Sequence, residues 1–153
     1  MAGLEAAVKF RQMLERYHLD ADLLDLETCY RGLQMEALAD FSRYPKPGVK
    51  EALSAIKARG YTTAVCSNSV TARVKKVLAD LTLTPYIDCI CAGDLVQRRK
   101  PDPQVYLLAL TTLSLSPEEC LAVEDSSYGI QAAKSACLDL AAIYDPRFPF
   151  DQS

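Results

Sequence analysis

The chain has 153 residues, half of them hydrophobic and 24% charged, with a formal net charge of −3. That length suffices for a core that removes about 70% of the unfolded surface from water. The weak acidity and the absence of any run of five like charges argue against a nucleic-acid or membrane-surface partner, and no apolar stretch approaches the length of a membrane span. Residues 4–17 place Leu4, Ala7, Val8, Met13, Leu14 and Tyr17 at helical spacing. Residues 20–44 continue with Leu23, Leu26, Tyr30, Leu33, Leu38 and Phe41, and Asp20 or Asp22 is placed to cap this helix. "PKPG" at 45–48 breaks the pattern. From there helices and strands alternate: a helix over 49–60 closed by Gly60, a strand over 61–66, a helix over 69–81, a strand over 86–93. A helix over 102–114, a strand over 120–124, a helix over 127–136 and a strand over 138–144 follow. Strands separated by helices predict an α/β fold, a parallel sheet with helices on both faces.

In such sheets ligands gather at the carboxyl ends of the strands. Ser67 follows the first predicted strand, Lys100 lies after the second in "RRKPDP", and Glu124 and Asp125 end the third. A hydroxyl near a helix N-terminus suits a phosphate oxygen, and an ammonium adds a point charge for the anion. Adjacent carboxylates repel unless a cation joins them, and paired oxygen ligands suit magnesium. The combination predicts a magnesium-assisted phosphoryl site. Each residue also has an ordinary reading. Ser67 could be a helix cap, Lys100 a solvated loop charge, Asp125 a cap and Glu124 a surface residue. Those readings do not account for all three groups following successive strands in order. His18 is the only histidine, and the six cysteines show no zinc spacing. Four of them lie in apolar strand-like runs, so free thiols in a reducing, cytoplasmic setting are expected, with Cys89 and Cys91 on one strand face.

"AVCSNS", "RKPDPQVY" and "CLAVEDSSYGIQAAKSA" resemble three successive motifs of the haloacid dehalogenase (HAD) superfamily, in its β-phosphoglucomutase-like and phosphatase branch. The resemblance covers nearly the whole chain. It implies a HAD-like Rossmannoid core over 45–153 and, over 1–44, the later part of a helical cap. It implies that Ser67, Asn68 and Lys100 hold the phosphoryl group of a small phosphorylated metabolite, that Lys100 bridges it to an attacking carboxylate, and that Glu124 and Asp125 hold Mg2+. The family's attacking Asp stands in a "DxDG" motif on a first strand, and none of these residues matches it. The single Asp-x-Asp, Asp20 to Asp22, lies in a helical pattern. The expectation is therefore a phosphatase or phosphomutase acting through an aspartyl-phosphate, inactive as these residues alone. The first strand and the carboxyl-terminal end would lie outside them, leaving a gap in the sheet. Cys137 stands where the resemblance implies glycine. Two other readings fit the residues. One is a non-catalytic protein that binds phosphate or magnesium. The other is a different α/β binding module, against which stands the lack of a GxGxxG or GxxxxGK[ST] cradle.

Overall fold

A computed structural model of the chain describes residues 2–37 and 40–144. It divides into two compact units, Met1–Tyr44 and Pro45–Ser153.

The first unit is helical. Helix α1 spans Ala2–Tyr17 and α2 spans Leu23–Ala37. Asp22, and not Asp20, caps α2: its Oδ1 accepts the main-chain N–H groups of Leu24 at 2.7 Å and Asp25 at 3.1 Å. The helices pack against each other through an edge-on contact of Phe10 with Tyr30, ring centroids 5.1 Å apart. Of the predicted apolar stripe, Met13, Leu14, Leu23, Leu26 and Phe41 are half-buried, whereas Val8, Tyr17 and Tyr30 are exposed. The side chains of Leu4, Ala7, Leu33 and Leu38 lie outside those described.

The second unit alternates helix and strand: α3 (Val49–Ala58), β1 (Ala64–Ser67), α4 (Thr71–Asp80), β2 (Cys89–Ala92), α5 (Gln104–Leu113), β3 (Leu121–Glu124), α6 (Ser127–Ser135) and β4 (Asp139–Ala142). All pairing is parallel. Strand β1 pairs with β2 from Ala64↔Cys89 to Ser67↔Ala92. Strand β3 pairs with β4 from Leu121↔Asp139 to Glu124↔Ala142. The strands form two hydrogen-bonded pairs rather than one continuous ladder among the described residues. They are also shorter than the apolar runs predict. Residues 61–63 are not strand, because Thr63 turns its N–H to the Asp88 carboxylate at 2.8 Å and its carbonyl to the N–H groups of Asp88 and Cys89. Ser67, paired with Ala92, is the last residue of β1 and not the first residue after it.

Alternate residues of β2 serve opposite faces. Cys89 and Cys91 join a core with Val105 and Ala109 of α5 and Ala132 and Ala133 of α6. Ile90 and Ala92 join another with Val74 and Leu78 of α4 and Leu53 of α3. A strand covered on both faces needs apolar residues at every position, and the run "CICA" meets that need. The Cys89 and Cys91 sulfurs, two residues apart on one face, lie 3.6 Å from each other. All six cysteines are free thiols.

Candidate active site

The carboxyl ends of β1 and β3 and the loop before α5 converge on a cleft of about 370 Å³, lined by Ser67, Asn68, Lys100, Glu124, Asp125 and Ser126. All five predicted site residues are therefore in one place. The loop carrying Lys100 is pinned to the end of β1 through Asn68. The Asn68 amide donates to the Lys100 carbonyl at 3.1 Å, and its carbonyl oxygen accepts the Lys100 N–H at 2.8 Å. The Asn68 side chain is thus engaged with the main chain of Lys100. Ser67 Oγ accepts the N–H of Ser69 at 3.1 Å and leaves the N-cap position of α4 to Val70. Gly93 lets the end of β2 lie close to the chain after β1, since a Cβ there would lie 2.3 Å from the main-chain carbonyl oxygen of Asn68.

Lys100 is not a solvated loop charge. Its side chain is 7% exposed and pairs with Glu124, itself 10% exposed. Nζ donates to the Cys66 carbonyl at 2.9 Å, to Tyr106 Oη at 3.2 Å, and to Glu124 Oε1. Tyr106 Oη donates to the same Oε1. Burial first, and the neighbouring Glu124 second, hold the Tyr106 phenol far above its ordinary range, so it stays a donor at neutral pH. Burial likewise pushes the Cys66 thiol up to about 11, against a smaller opposing pull from Lys100. Cys66 faces the cleft and is a poor nucleophile there, since the thiolate is the reactive form.

Glu124 and Asp125 diverge. Glu124 turns inward, and its Oε2 meets Ser126 Oγ at 3.4 Å. Gly129 makes room for it: a Cβ at that position would lie 1.9 Å from Oε2. Asp125 turns outward, half-exposed, and accepts from Lys46 Nζ at 2.6 Å. The cap of α6 is Ser126, whose Oγ accepts the Gly129 N–H at 3.1 Å, so Asp125 is left for another role. Among the described residues no three His, Cys, Asp or Glu side chains cluster to form a complete metal site. The donor set is nonetheless hard oxygen, Glu124 Oε2 and the Asp125 carboxylate. That suits a magnesium that takes one or two carboxylates and completes its shell with water and phosphate oxygens.

Sequence reasoning missed Tyr106, Lys46 and Gly129. Tyr106 stands in an apolar helix where a tyrosine reads as core, Lys46 stood in a segment noted only as a break, and the need for Gly129 depends on where Glu124 points. A signal for Tyr106 did exist: it follows Lys100 by six residues within the motif "RKPDPQVY".

A sequence profile of the haloacid dehalogenase-like hydrolases matches residues 3–136. The chain is 35% identical over 139 residues to Protein CbbY of Rhodobacter capsulatus, covering 89% of this chain and 61% of that protein. It is 39% identical over 93 residues to the phosphorylated carbohydrates phosphatase of Thermotoga maritima, covering 61% and 43%. It thus spans less than two thirds of either curated relative. Among solved structures, CbbY of Rhodobacter sphaeroides in complex with phosphate superposes with a TM-score of 0.73 at 25% identity, over 95% of this chain and 68% of that one.

Proposed function

The chain belongs to the haloacid dehalogenase-like hydrolases, and from that premise we propose that its cleft binds the phosphoryl group of a small phosphorylated carbohydrate in a magnesium-dependent phosphatase or phosphomutase site. The observation that carries this reading is the buried Lys100 ammonium, held against Glu124 at the strand ends with Ser67 and Asp125 lining the same cleft. A relative of comparable identity is named for phosphorylated carbohydrates, and a superposed relative holds phosphate.

In this reading Lys100 supplies the positive charge that offsets the anionic phosphoryl oxygens. Ser67 and the main-chain N–H groups after β1 orient those oxygens. Glu124 Oε2 and Asp125 would hold the magnesium, which when bound neutralises charge on the phosphoryl group. In the aspartyl-phosphate route a carboxylate oxygen attacks phosphorus, the ester P–O bond breaks, and the sugar hydroxyl leaves with a proton. Water or another hydroxyl then takes the phosphoryl group and frees the carboxylate. Of the carboxylates that line the cleft, Glu124 and Asp125, this reading gives neither the attack. Glu124 is committed to Lys100 and Tyr106, Asp125 is read here as a magnesium ligand, and Asp22 caps α2. The attack is therefore assigned to none of these residues. The expected behaviour of the 153-residue chain is binding of inorganic phosphate with magnesium, seen by calorimetry, without turnover of p-nitrophenyl phosphate. Phosphate binding should be lost in Lys100→Ala and weakened tenfold or more in Asp125→Ala, with a smaller loss in Ser67→Ala, where main-chain donors remain. Phosphate affinity unchanged in Lys100→Ala would overturn the site, and magnesium-dependent turnover by this chain would overturn the assignment of the attack.

A further inference from the structure

Tyr106 makes a set of contacts that packing alone does not require. The residue is 7% exposed, and phenylalanine would fill the same space. Its hydroxyl donates to Glu124 Oε1 and accepts from Lys100 Nζ at 3.2 Å. The ammonium lies 4.6 Å from the ring centroid. Both partners thus meet one phenol, by hydroxyl and by ring face.

The two oxygens of Glu124 have become unequal. Oε1 takes both donors, Lys100 and Tyr106. Oε2 meets only Ser126 Oγ, at the long distance of 3.4 Å, among the described residues. The carboxylate is held at Oε1, while Oε2 lies beside Gly129, on a residue that lines the cleft. We propose that Tyr106 is a positioning residue for Glu124: its hydroxyl fixes the carboxylate by Oε1 so that Oε2 is the edge offered to a divalent cation. This rests on the reading of Glu124 and Asp125 as cation ligands. Lys100 alone would leave the carboxylate one donor about which to rotate; the second donor, from a rigid ring on α5, removes that freedom. Loss of such an outer partner typically weakens metal binding about 10- to 100-fold.

The test is manganese(II) titrated alone into the full chain and followed by electron paramagnetic resonance, at a temperature where melting curves show every variant folded. Tyr106→Phe should bind about tenfold more weakly than the parent. Tyr86→Phe, which removes a phenol remote from the cleft, should match the parent. Because the effect runs through Glu124, Tyr106→Phe should add no loss in a Glu124→Gln background. If Tyr106→Phe does not fold, Tyr106→Met, which also removes the hydroxyl and fills the space flexibly, carries the same expectation. Affinity within twofold of the parent, or an equal loss in the Glu124→Gln background, overturns this proposal while the site reading stands. Manganese binding unaffected by both Glu124→Gln and Asp125→Asn, or absent in the parent, overturns the site reading and this proposal with it.

Discussion

At the scale of single residues the site depends on a buried charge pair kept in register by neighbours of minimal size. Lys100 and Glu124 are both nearly inaccessible. Such a pair contributes little net stability, yet removing one partner leaves a buried charge at a cost of about 3–5 kcal/mol. Losses of binding in Lys100 variants therefore need a melting curve beside them. Gly129 makes the sharper test. Within a helix, glycine to alanine ordinarily gains about 0.5–1 kcal/mol. Here the added methyl would meet Glu124 Oε2 at 1.9 Å and Cδ at 2.1 Å, pushing the carboxylate off Lys100 and Tyr106. Gly129→Ala should therefore destabilise by about 2 kcal/mol or more in urea unfolding and weaken manganese binding. A more stable variant would show that Glu124 is not held there.

At the scale of elements, helices of the second unit end on left-handed residues of different types. Helix α3 closes on Gly60 at φ 82°, α5 on Ser114 at φ 56°, and α6 on Cys137 at φ 58°. After α6 the Cys137 N–H reaches the Lys134 carbonyl at 3.0 Å and the Leu138 N–H reaches the Ala133 carbonyl at 3.1 Å, a closure that requires a left-handed residue between helix and strand. Cysteine there carries the steric cost of a Cβ in that region, about 1 kcal/mol. Its side chain is exposed, so little packing is lost on removing it. Cys137→Gly should stabilise the chain by about 0.5–1 kcal/mol, raising the melting temperature by about 1–4 °C. Calorimetry showing a lower melting temperature would mean that the cysteine has contacts worth more than its strain.

At the scale of the whole molecule, the buried acids of the second unit set an alkaline limit. The Cys66 thiol is pushed from 9.0 up to about 11, first by burial. Cys91 is raised, first by burial, and Tyr106 is raised from 10.0, again first by burial. In each case the folded value lies above the unfolded one. Their stabilising effect is complete below about pH 9 and is lost as pH rises, because the unfolded chain releases these protons first. The urea midpoint should hold from neutral pH to about 9 and then fall steeply toward 11. A flat profile across that window would show that these groups are open to solvent. Exposure of the β3 residues Leu121 at 64% and Val123 at 62% limits the core in a different way, since an apolar strand contributes hydrophobic stabilisation only where a neighbour covers it.

Asn68 entered only through the family resemblance, but the order of elements, the parallel α/β class and the gathering of Ser67, Lys100, Glu124 and Asp125 at one rim were legible in the residues alone. Those follow from apolar periodicity and from the rule that parallel strands end on the same edge, which needs no knowledge of contacts. Strand limits were less legible, because an apolar run such as 61–66 reads as strand whether or not a carboxylate 25 residues away, here Asp88, claims the N–H that would open the ladder. Only the tertiary structure decided which way each polar group points. Two adjacent carboxylates looked equivalent in "VED", yet Glu124 turned in to Lys100 and Tyr106 while Asp125 turned out to Lys46, 79 residues away in the chain. Asn68, expected on phosphate, is engaged with the main chain of Lys100. Hydrogen-bond partners distant in sequence leave no periodicity to read, so their choice emerges only when the packed helices bring them within reach.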